Sequence, residues 1–244
     1  MVRVRTLSTS TVSQVADCQH DKVGLAYNGE MQTLARWPNR NPGNTTVPWQ
    51  WARAHINNRN PHGAFLVNKN DTPDADRILR WSQERDPWLH GYLEWDWADA
   101  YGKINSIIAT ADGNAVQIEY EGVPDAKDGA RWMGVNLLCE LDAPGEYYID
   151  SDRQLVYGIP PDSAALEQTV VALMHQPGGV VNVTSAARNV TISNLEVREG
   201  RHAGILAAGA RGLTLENVLV RSHGTDGIVL TDAHDSKVRS AMAL

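Results

Sequence analysis

The strongest constraint on the fold is a repeat of 23 residues near the end of the sequence. ARNVTISNLEVREGRHAGILAAG begins at Ala187, and ARGLTLENVLVRSHGTDGIVLTD begins 23 residues later at Ala210. A third copy begins at Ala233 and keeps the register as far as Val238. A fixed period of this length is typical of a solenoid, in which each repeat packs on the next.

Within each copy, short apolar runs alternate with polar residues. VTI, LEV and GIL in the first copy correspond to LTL, VLV and GIV in the second, and neither copy has helical periodicity. The pattern predicts three short strands and three bends per copy, which describes one rung of a parallel β-helix. Ile192 should then lie directly on Leu215.

Two pairs of residues at equal positions in the copies predict bends. Asn194 and Asn217 suit a left-handed backbone conformation and can hydrogen-bond to each other when stacked. Gly204 and Gly227 each precede an Ile and suit a tight corner that leads into a strand.

The chain before the repeats has a different pattern, which is also rich in predicted strands. Residues 144–161 read as a hairpin of EYYID and LVYGI, and residues 104–108 and 116–120 read as further strands. A short helix is predicted from Asp71, where Asp or Thr can cap it and Pro73 suits its first turn.

Composition and charge exclude several classes of protein. The 244 residues carry a formal net charge of -7, and without a basic patch this disfavours nucleic acid as a partner. No apolar run is long enough for a membrane span, and no secretion signal is visible at the start. Cys18 and Cys139 are the two cysteines, too few for a disulfide framework or a zinc site. Neither a metal nor a cofactor is predicted.

The aromatic run at residues 88–102 allows two interpretations. It is either a platform for sugar rings or a packed core whose indole N–H groups have partners, and the core is favoured. Glu94 and Asp96 are carboxylates in this setting. Trp95 and Asp96 are the substrate-binding candidates here.

Four segments in order carry a family resemblance. LARWPN (residues 34–39), HGYLEWDWAD (90–99), NLLCELDAPGEYYID (136–150) and the NVTISNL of the repeats resemble the pectate-lyase-like right-handed parallel β-helix proteins. More narrowly, they resemble the branch with xylosidase- and fucosidase-type glycoside hydrolases. The resemblance covers nearly the whole chain from about residue 24.

The resemblance implies an all-β protein: a right-handed parallel β-helix with an inserted β-sandwich-like domain. Residues 1–23 would form an N-terminal segment, 24–172 the insertion and 173–244 the rungs. It also implies an extracellular or periplasmic location and a polysaccharide or oligosaccharide as partner. Relatives carry further rungs that bear their catalytic carboxylates, and Cys139 stands where they usually have an acidic residue.

Glycoside hydrolysis usually needs two carboxyl groups, about 5 to 9.5 Å apart depending on the stereochemical outcome. Stacked strands lie about 4.8 Å apart, so a pair could occupy equal positions in successive repeats. Glu196, Glu199 and Asp226 have no acidic residue at the equivalent positions. Asp226 and His223 are the catalytic candidates, because acid–base work is feasible at a strand entrance.

Arg201 and His202 lie at the corresponding corner of the preceding repeat and are the remaining substrate-binding candidates.

The sequence thus predicts a carbohydrate-active protein with an incomplete carboxylate pair. One alternative is a non-catalytic carbohydrate-binding or structural module. A second is a polysaccharide lyase or epimerase, which would need several carboxylate oxygens around calcium and a basic residue. The open strand edge after the last repeat also predicts self-association.

Overall fold

Strands dominate the computed structural model, which describes residues 3–6, 24–41, 50–57, 61–70, 72, 74–153, 155–162, 171–174 and 178–243. Within these ranges the helices are short: α1 (Ala75–Ile78) and 3₁₀ segments at Leu79–Gln83 and Leu138–Glu140. None of them is long and apolar enough to cross a membrane. The predicted all-β class is therefore confirmed.

The chain divides into two compact units. Unit 1 comprises Met1–Leu7 and Thr33–Asp162, and unit 2 comprises Ser8–Gln32 and Ser163–Leu244. In sequence, the long segment of unit 1 is inserted between the two segments of unit 2. The finer domain limits expected at residues 24 and 173 stay a prediction.

Unit 1 contains two sheets. Its strands are β1 (Arg3–Thr6), β4 (Thr33–Leu34), β5 (Arg36–Trp37), β6 (Ala52–Arg53), β7 (Ala64–Asn68), β8 (Trp88–Trp95), β9 (Ala98–Ala109), β10 (Ala115–Glu121), β11 (Arg131–Val135), β12 (Glu146–Asp150) and β13 (Leu155–Gly158). One sheet has the order β1-β13-β12-β4. The other has the order β5-β11-β8-β9-β10-β7, with β6 also beside β11. All pairs are antiparallel except β12 with β4.

The alternation of side chains along β8 explains how the larger sheet covers the core of unit 1. Leu89 and Leu93 point inward and are buried, whereas Trp88, His90 and Tyr92 lie on the other face and are half-buried. This is the two-residue period of a strand with one face on the core.

Three aromatic rings from elsewhere in unit 1 contribute to its core. Trp81, Trp132 and Phe65 are fully buried, and the Phe65 and Trp132 ring centroids lie 4.8 Å apart. Trp81 packs on Gly134, where an added Cβ would lie 2.5 Å from the indole. The favoured prediction that the run at 88–102 supplies a Trp core is wrong for Trp95 and Trp97, which are exposed.

The local predictions upstream are confirmed in most cases. β12 and β13 form the expected hairpin, and the strands expected at 104–108 and 116–120 lie within β9 and β10. The predicted helix begins later than expected, at Ala75, and the preceding Asp74 makes no side-chain capping hydrogen bond. Asp71 and Pro73, on which that prediction rested, lie outside the described residues.

Unit 2 consists of three three-stranded sheets in its described part. Its strands are β2 (Gly24–Tyr27), β3 (Glu30–Met31), β14 (Val171–Met174), β15 (Val181–Val183), β16 (Thr191–Gly200), β17 (Ile205–Ala208), β18 (Thr214–His223), β19 (Ile228–Thr231) and β20 (Lys237–Ala243). β14-β2-β3 is antiparallel. β15-β17-β19 and β16-β18-β20 are parallel.

The two parallel sheets keep the 23-residue register of the sequence. Ile192 pairs with Leu215, and Leu215 pairs with Val238. Leu215 is fully buried among apolar residues that include Val197 and Ile205. The predicted stacking of Ile192 on Leu215 is confirmed.

The expectation of three strands per repeat is wrong in the described residues. The last two residues of VTI and all of LEV form one continuous strand, β16, with Asn194 inside it at a φ of 57°. Asn217 has a φ of 51°, and its side-chain amide donates to the Asn194 oxygen over 2.8 Å. The predicted Asn stacking is therefore confirmed, as a bend within a strand.

Candidate functional site

The most exposed aromatic group of the described residues lies at the tip of the β8–β9 hairpin. Trp95 ends β8, Asp96 and Trp97 form the turn, and Ala98 begins β9. The pairing register shifts between Gly91 and Trp95. Such an irregularity redirects a side chain, so Trp95 does not follow Leu89 and Leu93 into the core.

The two indoles at this tip form a stacked pair. Trp95 is 46% exposed and Trp97 is 81% exposed, with ring centroids 6.3 Å apart and planes at 26°. The Lys127 ammonium lies 4.0 Å from the Trp95 ring centroid. Trp95 is thus supported by two neighbours, whereas Trp97 presents most of its apolar surface to solvent. Two adjacent exposed indoles form an apolar patch, and such a patch is a candidate binding surface.

Charged groups adjoin this indole pair. Arg131 donates to the Asp96 carboxylate and to its backbone oxygen, each over 3.3 Å. The same guanidinium lies 4.5 Å from the Tyr92 ring centroid and 5.7 Å from that of Trp51. A cation over aromatic faces is held in place by the ring quadrupoles. Asp96 therefore has a fixed cationic partner while its side chain stays 91% exposed.

His90, on the same face of β8 as Tyr92, forms a second polar pair, with Asp99. The His90 ring stacks on Tyr101, with centroids 4.0 Å apart, and its Nε2 lies 2.8 Å from an Asp99 carboxylate oxygen. The ring centroids of Trp51 and His90 lie 5.7 Å apart. We call the set Trp51, Tyr92, Trp95, Asp96, Trp97 and Arg131 the aromatic surface.

The aromatic surface includes Trp95 and Asp96, which the sequence singled out, and it adds Trp97. The turn WDWAD contained the signal. A two-residue turn between paired strands must carry its side chains outward, so a Trp at that position is exposed. The composition of the run does not single out Trp97, because its exposure depends on the position of the turn.

The repeat candidates in unit 2 have separate environments. Asp226 is exposed, and its backbone oxygen accepts a hydrogen bond of 3.0 Å from Gly204. Arg201 is 8% exposed, and His202 is half-buried with its backbone oxygen accepting from Thr225. In the described part of the chain, no hydrogen bond or ion pair joins Asp226 to His223. The catalytic assignment stays a prediction.

His223 is bound to the backbone of the preceding repeat. The Gly200 N–H donates to Nδ1 over 3.1 Å, and Nε2 lies 3.1 Å from the Val197 oxygen. A ring that accepts at Nδ1 and donates at Nε2 is a neutral tautomer with both nitrogens in use. A Cβ on Gly204 would lie 2.6 Å from Nε2, so this glycine leaves space for the imidazole. The geometry favours a structural role for His223.

Carboxylates do converge in unit 2, but around arginines. Arg221 bonds to Glu196, which holds the pKa of that carboxyl below its usual range, and lies 3.9 Å from Glu30. Arg198 lies 3.7 Å from Glu199. Glu196 is 25 residues from Arg221, which is not the repeat period of 23, and Glu30 belongs to β3, outside the repeats. A comparison of equal repeat positions therefore does not reveal this network.

Glu199 has a φ of 60°, which suggests strain of the kind found at functional sites. Ser222, one repeat later, has the same φ. The conformation is therefore a feature of the repeat and gives no separate sign of a site. In the described residues, no group of three or more His, Cys, Asp or Glu side chains is placed to hold a metal ion.

Cys139 is exposed as a residue, and its surroundings disfavour the thiolate. Burial raises its pKa to about 12, with the neighbouring carboxylates of Glu84 and Glu140 acting in the same direction. Because the thiolate is the reactive form, this raised pKa disfavours a role for Cys139 in place of the acidic residue that the resemblance implied.

Comparisons with known proteins give a fold and no family. No family model matches the chain. No curated protein matches it either. Among solved structures, one titled "Glycoside hydrolase" superposes with a TM-score of 0.62 at 13% sequence identity, over 91% of this chain and 46% of that chain. The chain thus shares a glycoside-hydrolase-like fold and spans less than half the length of that protein.

Proposed function

We propose that this chain is a carbohydrate-binding part of a glycoside-hydrolase-like protein, and that the aromatic surface binds the sugar. The exposed, stacked pair of Trp95 and Trp97 carries this proposal. The C–H faces of pyranose rings are apolar, so an indole face can cover them, while Asp96 and Arg131 supply hydrogen-bonding groups for hydroxyls. The fold shared with a glycoside hydrolase supports a carbohydrate as the ligand.

The finer fold also belongs to this proposal. We assign unit 2 to a right-handed parallel β-helix of the pectate-lyase-like type, close to the xylosidase and fucosidase branch. Two parallel sheets with one 23-residue register support it. The left-handed φ values recur at that spacing, as at Asn189 and Gly212.

Binding without cleavage is the function we favour for the chain itself. A hydrolase needs two placed carboxyl groups, and the position equivalent to Asp226 in the preceding repeat is occupied by Ala203. The carboxylates that do converge, such as Glu196, are paired with arginine. Hydrolysis through Asp226 is the second candidate, supported by the fold, and a lyase or epimerase is the third.

Location and assembly complete the proposal. A polysaccharide ligand fits an extracellular or periplasmic protein. The outer strands β19 and β20 carry exposed Leu230, Val238 and Met242, which fits self-association through this edge.

A panel of polysaccharides separates the candidates. Purified protein is run in native gels that contain xylan, a fucosylated glycan or a uronic-acid glycan, and the same mixtures are assayed for products. Retardation without product supports binding alone. Reducing sugar that disappears in Asp226→Ala supports hydrolysis, and ultraviolet absorbance of an unsaturated product supports a lyase. A protein that no glycan retards and that forms no product would contradict the proposal.

A further inference from the structure

Unit 1 contains a cleft that is distinct from the aromatic surface. It has a volume of about 450 Å³ and lies between the 3₁₀ segment Leu79–Gln83 with the residues after it and the middle of β9. This volume is in the range of small-molecule sites. Its polar lining residues are Ser82, Glu84, Arg85, Lys103, Asn105 and Ser106.

Hydrogen-bond donors dominate this lining. In the described part of the chain, the Asn105 amide and the Ser106 hydroxyl have no side-chain hydrogen-bond partner, and both residues are solvent-accessible. Arg85 and Lys103 add two cations. The Glu84 carboxylate is already occupied, because its oxygens accept from the backbone N–H groups of Leu138 and Cys139. A ligand that presents acceptors therefore matches the two cations, and the Asn105 and Ser106 side chains can donate to it as well.

Both cations have only loose partners. Arg85 lies 3.4 Å from Asp152, and Lys103 lies 3.6 Å from Asp86, with each cationic side chain about half exposed. Exposed ion pairs of this kind contribute little to stability.

Arg77 in the same unit shows the contrast. Its guanidinium is bonded to the fully buried Glu140 and also to Asp142. That cation is committed to the fold, whereas Arg85 and Lys103 are available to a ligand.

We infer that this cleft binds a small polar molecule that carries an oxyanion, such as the carboxylate of a uronic acid or a phosphate group. Arg85 and Lys103 hold the anion, and Asn105 and Ser106 donate to neighbouring oxygens. The inference does not depend on the aromatic surface, which shares no residue with the cleft.

Titration with small probes tests the site. Glucuronate, inorganic phosphate and neutral glucose are added separately to the full chain and followed by NMR or calorimetry. We expect saturable binding of glucuronate, phosphate or both in the millimolar range, and at least about tenfold weaker binding of glucose. Tighter binding of glucuronate than of phosphate identifies a uronic acid as the source of the oxyanion, and the reverse order identifies a phosphate group.

Two variants complete the test. The double variant Arg85→Gln, Lys103→Gln should weaken anion binding by at least about tenfold. Lys69→Gln is the matched control, because Lys69 pairs with Asp76 and does not line the cleft. Far-ultraviolet circular dichroism verifies that each variant is folded. Absence of saturable anion binding to the wild type, or equal binding by the double variant, would overturn the inference, whatever the aromatic surface does.

Discussion

The side-chain amide of Asn217 donates a 2.8 Å hydrogen bond to the side-chain oxygen of Asn194, one repeat earlier. Both residues have a left-handed backbone, with φ values of 51° and 57°. The pair combines the conformation that bends the strand with the bond that joins two repeats.

Replacing Asn217 separates these two contributions. Asn217→Ala loses the hydrogen bond and replaces a residue that tolerates the left-handed conformation with one that does not, so we expect a loss of about 2 kcal/mol in unfolding free energy. Asn217→Gly loses the bond but tolerates the φ, so its loss should be smaller. Urea denaturation measures both, and an alanine variant as stable as the glycine variant would show that the bend is not left-handed.

Glu140 should be the most sensitive carboxylate of unit 1. It is fully buried, accepts from the Trp81 indole over 2.8 Å and pairs with Arg77. Glu140→Ala leaves Arg77 without its buried partner and should cost about 3 to 5 kcal/mol in thermal or urea unfolding. Asp76→Ala removes an exposed pair and should cost less than about 1 kcal/mol. Equal losses in the two variants would contradict this.

Glu146 predicts a pH dependence of stability. Burial raises its pKa from 4.5 to about 7, although the N–H groups of Asp142 and Ala143 act in the opposite direction. Because the folded pKa is above the unfolded one, its protonation favours the folded state below about pH 4.5. This contribution is lost as the pH rises to about 7.

Glu146→Gln cannot ionise. The unfolding free energy of this variant should therefore rise relative to the wild type between about pH 4.5 and 7. Denaturation curves across this range provide the measurement. A constant difference would mean that the N–H donors balance desolvation, and a difference of opposite sign would mean that they outweigh it.

His223 should matter for stability and not for sugar binding. His223→Ala leaves the Gly200 N–H and the Val197 oxygen without their partner, at a cost of about 1 to 3 kcal/mol. Asp226→Ala changes an exposed side chain and should stay within about 0.5 kcal/mol. Denaturation and polysaccharide retardation are measured for both variants. Loss of glycan binding in a folded His223→Ala protein would contradict this and would assign His223 to the sugar-binding site.

Sequence reasoning succeeded where interactions repeat or are local. The 23-residue period predicted the pairing of Ile192 with Leu215, because equal offsets place like side chains together in stacked strands. The β12–β13 hairpin followed from two strand-forming runs around a polar turn.

The sequence does not predict the position of a side chain where a long-range contact or an irregularity in a strand determines it. Strand alternation alone would turn Trp95 inward with Leu89 and Leu93, but the register shift after Gly91 leaves it exposed. The contact of Arg221 with Glu30 joins residues that are far apart in the sequence. No periodic pattern encodes either feature.

Affinity electrophoresis of Trp97→Ala tests the central claim most directly. Ile108→Ala is the matched control, because Ile108 is another exposed apolar side chain on the same hairpin, ten residues after Ala98. With a polysaccharide that retards the wild type, we expect Trp97→Ala to bind at least about tenfold more weakly and Ile108→Ala to bind as the wild type does. Undiminished retardation of Trp97→Ala, or equal weakening of the two variants, would contradict the assignment of the aromatic surface as the sugar site.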